Sequence, residues 1–257
     1  MDLIEATDAP SRHRHPWEQA RLWVLQQLIA RHVRLDPGST VIDIGCGDAF
    51  VIGSLAQSFP GTRFIGVDAA FTADIVQSQQ KHLPPNVHLV QDLNSVPDSR
   101  RAALILLMDV LEHIDDDGGF LKDVLSRPFS GPDTQVIVTV PAYQWLFSSH
   151  DVFLKHFRRY TNGQLRRRLE GAGLSVLDLG YFFASLLPLR VANVIAERIW
   201  RPAPVSGTGL SRYAGGPIKS GILSSVLKAD AFVALKLRRV GISIPGLSNY
   251  AICRTSA

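Results

Sequence analysis

The sequence has little cysteine and no long uninterrupted apolar run. Its two cysteines, Cys46 and Cys253, lie far apart and fit no metal-ligand spacing. This excludes a disulfide framework and is typical of a reducing compartment. Charged residues interrupt the longest apolar stretches, 182–200 and 222–237, so neither has the length of a membrane-spanning helix. The first residues include acids where a secretory signal would be basic. We therefore expect a cytoplasmic protein, in which any membrane association is a peripheral contact.

A strong excess of one charge is also missing. The 27 basic residues outnumber the 23 acidic ones only slightly, for a net charge of +4. The sequence has neither an extended basic arm with interleaved aromatic residues nor an Asn-Pro-Pro-aromatic base-flipping motif, so we expect no nucleic-acid partner. What is present is apolar: 46% of the 257 residues are hydrophobic, enough for one α/β domain with a full core.

A glycine-containing turn follows the first predicted strand, residues 41–44. The apolar run ends at Gly45-Cys46-Gly47, which is typical of a buried parallel strand passing into a helix, and Asp43 places a carboxylate at the mouth of the strand. The sixth position of the turn is Phe50, so the full Gly-x-Gly-x-x-Gly pattern is not met. We therefore do not expect this turn to bind a pyrophosphate.

A second acidic residue, Asp68, follows the next apolar run. It stands about 20 residues after the turn, where an acidic side chain can bind both hydroxyls of a ribose. The alternation of apolar strands and helical segments then continues, which predicts a parallel, doubly wound sheet with helices on both faces. The predicted strands are residues 41–44, 63–67, 87–91, 102–108, 135–140, 174–179 and 249–253.

Four ordered motifs carry a resemblance to a known family. They are Asp43-Ile44-Gly45-Cys46-Gly47, Gly66-Val67-Asp68, Gln91-Asp92-Leu93 and Met108-Asp109-Val110-Leu111-Glu112-His113. From about His15 to its end, the sequence resembles the class I S-adenosylmethionine-dependent methyltransferases. The resemblance implies a Rossmann-like, seven-stranded, mostly parallel sheet, with a helical insertion before the last strand. That last strand would be antiparallel and lie at the sheet edge.

The resemblance also implies S-adenosylmethionine as the cofactor. Asp43, Gly45 and Gly47 would line its methionine moiety, Asp68 its ribose and Asp92 the adenine amino group. Where many members have a third glycine, this chain has Ala49, a small residue for which we expect little cost. The predicted cofactor-binding residues are Asp43, Gly45, Cys46, Gly47, Asp68, Ala69, Asp92, Leu93, Asp109 and Val110.

Three histidines are candidates for a catalytic base: His113, His150 and His156. If the residues after the fourth strand are helical, Asp109 and His113 share a face, and the carboxylate could orient the imidazole. The alternative is that Asp109 caps a helix and His113 packs under a loop. No spacing compels a metal ion, and we expect none, although Asp109, Glu112 and His113 could form part of a divalent site.

A polar segment, residues 150–161, follows the fifth strand and is typical of a loop that binds a polar substrate. It resembles the His-x-Arg-Arg-Tyr-Thr stretch of one methyltransferase subset, in which Arg158 or Arg159 could hold a phosphate or carboxylate. Alternatively, Thr161 caps a helix over residues 162–171 and the arginines are solvated. The predicted substrate-binding residues are Trp17, Tyr143, Asp151, Arg159 and Tyr160, with simple helix packing as the alternative for Trp17.

We expect a single domain over residues 1–257, with an N-terminal helical segment (1–36) and a helical insertion (181–246). The insertion contains two amphipathic helices joined by a loop, residues 202–220, rich in glycine, serine and proline. Three interpretations remain open: a cap packed over an apolar substrate, a surface that rests on lipid, and a homodimer contact.

The predicted function is methyl transfer from S-adenosylmethionine to a small-molecule acceptor that is apolar, lipid-like or aromatic. One alternative, a binder of NAD or a nucleotide sugar, rests on Gly45, Gly47 and Asp68 alone. A second alternative is a non-catalytic scaffold that binds the cofactor. Nothing in the sequence distinguishes methylation of oxygen, nitrogen or carbon.

Overall fold

The computed structural model describes residues 14–97, 101–200 and 216–255. Residues 1–13 of the predicted N-terminal segment and most of the predicted loop 202–220 lie outside the described residues. The strands of the described part are β1 (Thr40–Ile44), β2 (Arg63–Val67), β3 (Val87–Val90), β4 (Leu104–Met108), β5 (Gln135–Pro141), β6 (Leu174–Phe182) and β7 (Ser248–Thr255). Its helices are α1 (Pro16–His32), α2 (Phe50–Ser58), α3 (Ala73–Gln80), α4 (Asp117–Ser126), α5 (Ser149–Phe153), α6 (Asn162–Gly171), α7 (Leu186–Trp200) and α8 (Pro217–Arg239).

These strands form one sheet in the order β3-β2-β1-β4-β5-β7-β6. Strand β1 pairs in parallel with β2 on one side and with β4 on the other, so the strand order reverses at β1. Open α/β sheets bind ligands outside the carboxyl ends of the strands at such a switch point. The predicted doubly wound, mostly parallel, seven-stranded sheet is confirmed, and its ligand edge lies at the end of β1.

The position of the last strand differs from the prediction. Strand β7 is antiparallel, as expected, but it lies between β5 and β6 and not at the sheet edge, which β6 occupies. Its central residues, Tyr250 to Cys253, are fully buried. A strand that is covered on both faces has a continuous apolar sequence. Because β7 has such a sequence, burial in the interior of the sheet is favoured over a position at its edge.

The two faces of the sheet bury separate apolar cores, because neighbouring strand residues point to opposite sides. Val41 and Phe64 belong to one core, while Ile42 and Ile65 belong to the other. The first core also contains the buried face of α1 and residues of α8, and these two helices contact each other. Helix α8, although part of the predicted insertion, is therefore one of the layers that complete the first core.

Local signals set the helix ends as sequence rules predict. Helix α1 starts with Pro16 after His15, whose ring nitrogen accepts a hydrogen bond from Trp17 N, while Glu18 bonds back to His15 N. Thr161 and Gln164 form the same reciprocal cap at α6. The predicted helix over residues 162–171 is confirmed, and so is its Thr161 cap.

The helical insertion starts slightly later than predicted. Tyr181 and Phe182 still belong to β6, where they pair with Asn249 and Ser248 of β7. Helix α7 follows and buries only Val194 among its side chains. In the described part of the chain, no helix is both long enough and apolar enough to cross a membrane.

Candidate active site

The turn after β1 closes tightly over the neighbouring strand. Gly45 N and Cys46 N both donate to Val67 O, at 2.8 and 3.1 Å. Gly45 has a φ of +75°, and a Cβ at this position would lie 2.6 Å from Val110 Cγ2. Glycine is therefore required here for both backbone conformation and space. Two predicted cofactor-binding residues, Gly45 and Val110, consequently lie in close contact at the ligand edge.

Asp43 is a buried carboxylate, one of whose oxygens is unpaired in the described part of the chain. Its side chain is 2% exposed, and Oδ1 has no hydrogen-bond partner among the described residues. Burial, reinforced by the nearby charge of Asp68, raises the pKa of Asp43 to about 7. A buried polar group without a partner is costly, so this carboxylate suits a ligand that brings a cationic donor. The α-ammonium group of S-adenosylmethionine is such a donor, and the residues at this edge fit that cofactor.

The two other predicted carboxylates end the next strands. Asp68 follows β2 and accepts hydrogen bonds from Gly47 N at 2.8 Å and Ala70 N at 2.9 Å, which fixes the glycine turn beside it. Asp92 follows β3 and accepts from Asn94 N and Ser95 N through Oδ1. The predicted partners in sequence, Ala69 and Leu93, are exposed and half-buried, respectively. Asp43, Asp68 and Asp92 thus lie at or near the carboxyl ends of adjacent strands, and their separate contacts with the cofactor stay a prediction.

Helix α1 docks on this edge through Arg21. Its guanidinium forms an ion pair with Asp109, donates to Thr139 Oγ1 at 3.0 Å and lies 4.4 Å from the centroid of the Trp17 ring. Asp109 has a φ of +55°, and the following turn, Leu111–His113, is a short 3-10 segment. The prediction that Asp109 and His113 share an α-helical face is therefore wrong, because Asp109 lies outside any helix and the segment that follows it is a three-residue 3-10 turn.

The loop after β5 is organised around Asp151, which is fully buried. Asp151 Oδ1 lies 2.9 Å from His156 Nδ1 and accepts from Arg159 Nε at 2.7 Å, while Oδ2 accepts from Arg190 Nη2 at 2.8 Å. Burial alone would raise the pKa of Asp151, but the hydrogen bond from His156 and the two arginines hold the pKa well below its usual range. Asp151 is consequently an ionised group at the centre of an internal network.

The same burial applies to two other predicted substrate-binding residues. Arg159 is 7% exposed and also donates to Ala142 O, and Tyr160 is 3% exposed with its hydroxyl on Asp117 and Leu111 O. These polar groups are directed inward. Arg158, by contrast, is partly exposed and pairs with Asp117 at 3.1 Å. The structure thus gives Asp151, Arg159 and Tyr160 contacts that shape the loop, and their contact with substrate stays a prediction.

Aromatic side chains lie where β5 ends. Tyr143 has a φ of +63° and stacks on Tyr181 with 5.2 Å between ring centroids. Trp145, whose side chain is 51% exposed, lies 5.9 Å from Tyr143 on the other side. A bulky residue with positive φ is strained and is found most often at ligand sites. We refer to Tyr143, Trp145 and Tyr181 as the aromatic cluster.

Two of the three predicted histidines meet. The rings of His113, after β4, and His156, in the loop after β5, are 4.6 Å apart between centroids in an edge-to-face arrangement. Beside them lies Glu112, which is 1% exposed and which the sequence indicated only as part of a possible divalent site with Asp109 and His113. His150 stands next to Asp151 in α5, where burial and the Arg190 charge lower its pKa. His113 follows β4 and His156 lies in the loop after β5. No sequence pattern within either of these two segments predicts that the two rings lie close together.

Comparison with known proteins agrees with this geometry. The methyltransferase domain family matches residues 12–179. Trans-aconitate 2-methyltransferase of Azoarcus sp. (strain BH72) is 30% identical over 199 residues, covering 73% of this chain and 74% of that protein. The mitochondrial ubiquinone biosynthesis O-methyltransferase of Candida albicans is 26% identical over 113 residues, 41% of this chain and 34% of that protein. An S-adenosylmethionine-dependent methyltransferase from Archaeoglobus fulgidus shares the fold, with a TM-score of 0.54 at 16% identity, covering 95% and 96% of the two chains.

The fold and the carboxylate-lined edge define a class I methyltransferase. The chain belongs to the methyltransferase domain family, and it is an S-adenosylmethionine-dependent methyltransferase. The predicted class, enzyme activity and cofactor are confirmed, and S-adenosylmethionine takes the place of the NAD or nucleotide-sugar alternative.

Proposed function

We propose that the acceptor is a small molecule with an apolar or aromatic body, bound at the carboxyl ends of β4 and β5. The observation that carries this proposal is the aromatic cluster, which presents the half-exposed Trp145 next to the strained Tyr143. Aromatic side chains make favourable contacts with apolar and aromatic groups. The match to a relative named for trans-aconitate, a small molecule, supports the same size class.

In this proposal, each part of the edge has a separate task. Asp43, Asp68 and Asp92 hold the cofactor, which supplies a methyl group already activated on a sulfonium. Val110 and Gly45 fix the wall between the cofactor and the acceptor. In the absence of a bound metal ion, His113 or His156, whose rings meet beside this edge, could take the proton of the acceptor. Because the methyl group is activated, the protein contributes chiefly alignment and exclusion of water.

The test is methyl transfer from labelled S-adenosylmethionine to a panel of apolar and aromatic small molecules that carry hydroxyl, carboxyl or amino groups. We expect turnover with members of this panel and none with RNA or protein. Trp145→Ala should raise KM about 5- to 10-fold with little change in kcat, because one aromatic contact contributes about 1 kcal/mol. Trp200→Ala, which removes another exposed tryptophan, is the matched control. Equal KM values for both variants would contradict the placement of the acceptor.

We also propose that α7 and α8 provide a peripheral membrane contact. Apolar side chains that are about half or more exposed line both helices, and the last turn of α8 is basic, an arrangement typical of interfacial helices. The exposed apolar residues are Leu189, Ile195, Ile199 and Trp200 in α7 and Ile218, Ile222, Val226, Phe232 and Val233 in α8. The basic residues are Lys236, Arg238 and Arg239.

Sedimentation with vesicles tests the membrane contact. Vesicles with anionic phospholipid should carry the protein down, and Ile222→Asp, at a 62% exposed position, should weaken this binding without changing the unfolding midpoint. A homodimer through the same surface predicts a different result. In that case, sedimentation equilibrium shows twice the chain mass, Ile222→Asp restores the monomer, and vesicles bind neither form.

A further inference from the structure

The pair His113 and His156 lies beside Glu112 in a group that can hold a metal ion. One ligand atom from each of the three side chains lies within 4.8 Å of the other two. A backbone hydrogen bond of 2.7 Å from Phe157 N to Glu112 O joins the two chain segments that carry them. The group is therefore formed by fixed backbone and not by a chance approach of long side chains.

Glu112 supplies the observation that points to a cation. Its side chain is 1% exposed, and Oε2 has no hydrogen-bond partner among the described residues. The nearby arginines form ion pairs with other carboxylates, Arg21 with Asp109 and Arg159 with Asp151, although the charges of both also act on Glu112. A buried carboxylate oxygen without a partner costs free energy that a bound cation would offset.

His156 is held in the orientation typical of a metal ligand. Its Nδ1 contacts Asp151 Oδ1 at 2.9 Å, which leaves Nε2 as the ring nitrogen for an ion. Metal-binding histidines usually make such a contact with a carboxylate, which fixes the tautomer and makes the ligand nitrogen more basic. Asp151 is held in turn by Arg159 and Arg190.

We propose that Glu112, His113 and His156 bind one divalent transition-metal ion, with two imidazoles and one carboxylate as ligands. Two histidines with one carboxylate are a ligand set of zinc and of non-haem iron sites, which keep a position open for substrate. A tetrahedral ion with ligands at about 2.1 Å separates its ligand atoms by about 3.4 Å. The three ligand atoms would therefore need to move closer by at most about 1.4 Å to bind such an ion.

A role for this ion follows if the proposed function holds. Bound to the hydroxyl or carboxyl oxygen of the acceptor, the ion would favour loss of the O–H proton to solvent. The oxygen lone pair then forms the O–CH3 bond, while the S–CH3 bond of the sulfonium breaks and leaves its electron pair on sulfur. The open position of the site would thus select an oxygen acceptor.

The experiment measures metal binding directly. Full-length protein stripped with a chelator is titrated with Zn2+ by calorimetry, and with Co2+ by its visible absorption bands. We expect one equivalent to bind, with at least 10-fold weaker affinity in Glu112→Gln and in His156→Ala. Asp151→Asn should weaken binding about 10- to 100-fold, because it removes the contact that orients His156. His88→Ala, which removes an exposed histidine of β3, is the control and should bind like wild type.

Each result decides the proposal. Every variant must first bind S-adenosylhomocysteine like wild type, which shows that it is folded. If a histidine variant fails to fold, Glu112→Gln, which preserves side-chain volume, tests the metal site in its place. Absence of binding in wild type, or equal binding in Glu112→Gln, would overturn the site. Weaker binding in His88→Ala alone would identify an adventitious surface site and overturn it as well. The Trp145→Ala assay above needs no metal titration, so failure of the proposed function is recognised separately.

Discussion

Asp43→Asn should increase the stability of the cofactor-free protein while abolishing cofactor binding. Asp43 has no hydrogen-bond partner for Oδ1 among the described residues, and burial raises its pKa from 3.8 to about 7. The folded state therefore binds a proton that the unfolded state has released between these two pH values. Stability is lost as the pH rises from about 4 to about 7, and the loss is complete above that range.

The magnitude follows from the shift. A shift of about three units at about 1.4 kcal/mol each means that ionised Asp43 costs about 4 kcal/mol at pH 8. At pH 5, where only the unfolded state is ionised, the cost is about 2 kcal/mol. Asparagine carries no charge, but its buried amide has a cost that does not depend on pH. The stability difference between Asp43→Asn and wild type should therefore grow by about 2 to 3 kcal/mol from pH 5 to pH 8.

Urea unfolding of both proteins at pH 5 and pH 8 measures this difference, because contributions from other groups cancel. Calorimetry with S-adenosylhomocysteine at pH 8 should show binding to wild type only. A stability difference that is the same at both pH values would refute the assignment of Asp43 as an uncompensated buried acid. Retained cofactor binding in Asp43→Asn would refute its role at the site.

Three further changes have expected outcomes. Gly45→Ala should lower the free energy of unfolding by about 2–4 kcal/mol and prevent cofactor binding, because the added Cβ contacts Val110 and the backbone is left-handed. Gly173→Ala is the control, since Gly173 has a φ of +97° but no atom lies within 4 Å of its added Cβ. In thermal unfolding this control should show only the cost of backbone strain. Ala49→Gly should change stability by less than about 1 kcal/mol in the same assay, because the relief of a φ of +59° is offset by greater freedom of the unfolded chain. Burial would raise the pKa of Asp178, but the contact with His32, the hydrogen bonds from Leu179 N and Tyr250 and the Arg238 charge outweigh it and hold that pKa at about 2. Asp178→Asn should therefore cost about 2 kcal/mol at pH 7 and about half of that at pH 3 in urea unfolding, because the contribution is lost as the pH falls from about 4 towards 2; an equal cost at both pH values would contradict this network.

Local patterns predicted the sheet and the cofactor edge because their signals lie within short segments. Asp43, Gly45 and Gly47 belong to one strand and its turn, and the parallel sheet brings Asp68 to the same edge. The order of β7 and β6 was predicted wrongly because strand order depends on pairing between distant segments.

The acceptor side of the site was less accessible from the sequence. The left-handed conformation of Asp109 depends on its ion pair with Arg21 of α1, 88 positions earlier in the chain. The inward direction of Arg159 depends on Asp151, which the sequence placed in contact with substrate. Residues in a polar loop carry the same composition whether they face a ligand or each other, so only the folded chain distinguishes the two cases.

The ion pair between Arg190 and Asp151 connects the helical insertion to the polar loop after β5. Arg190 belongs to α7, a helix in which Val194 is the only buried residue, yet its guanidinium reaches the carboxylate that orients His156. A movement of α7 that displaces Arg190 would therefore change the contacts of Asp151 and, through it, of His156. If lipid binding to α7 changes the affinity for the acceptor in this way, the acceptor must change the affinity for lipid by the same factor. Membrane binding and acceptor binding would then influence each other.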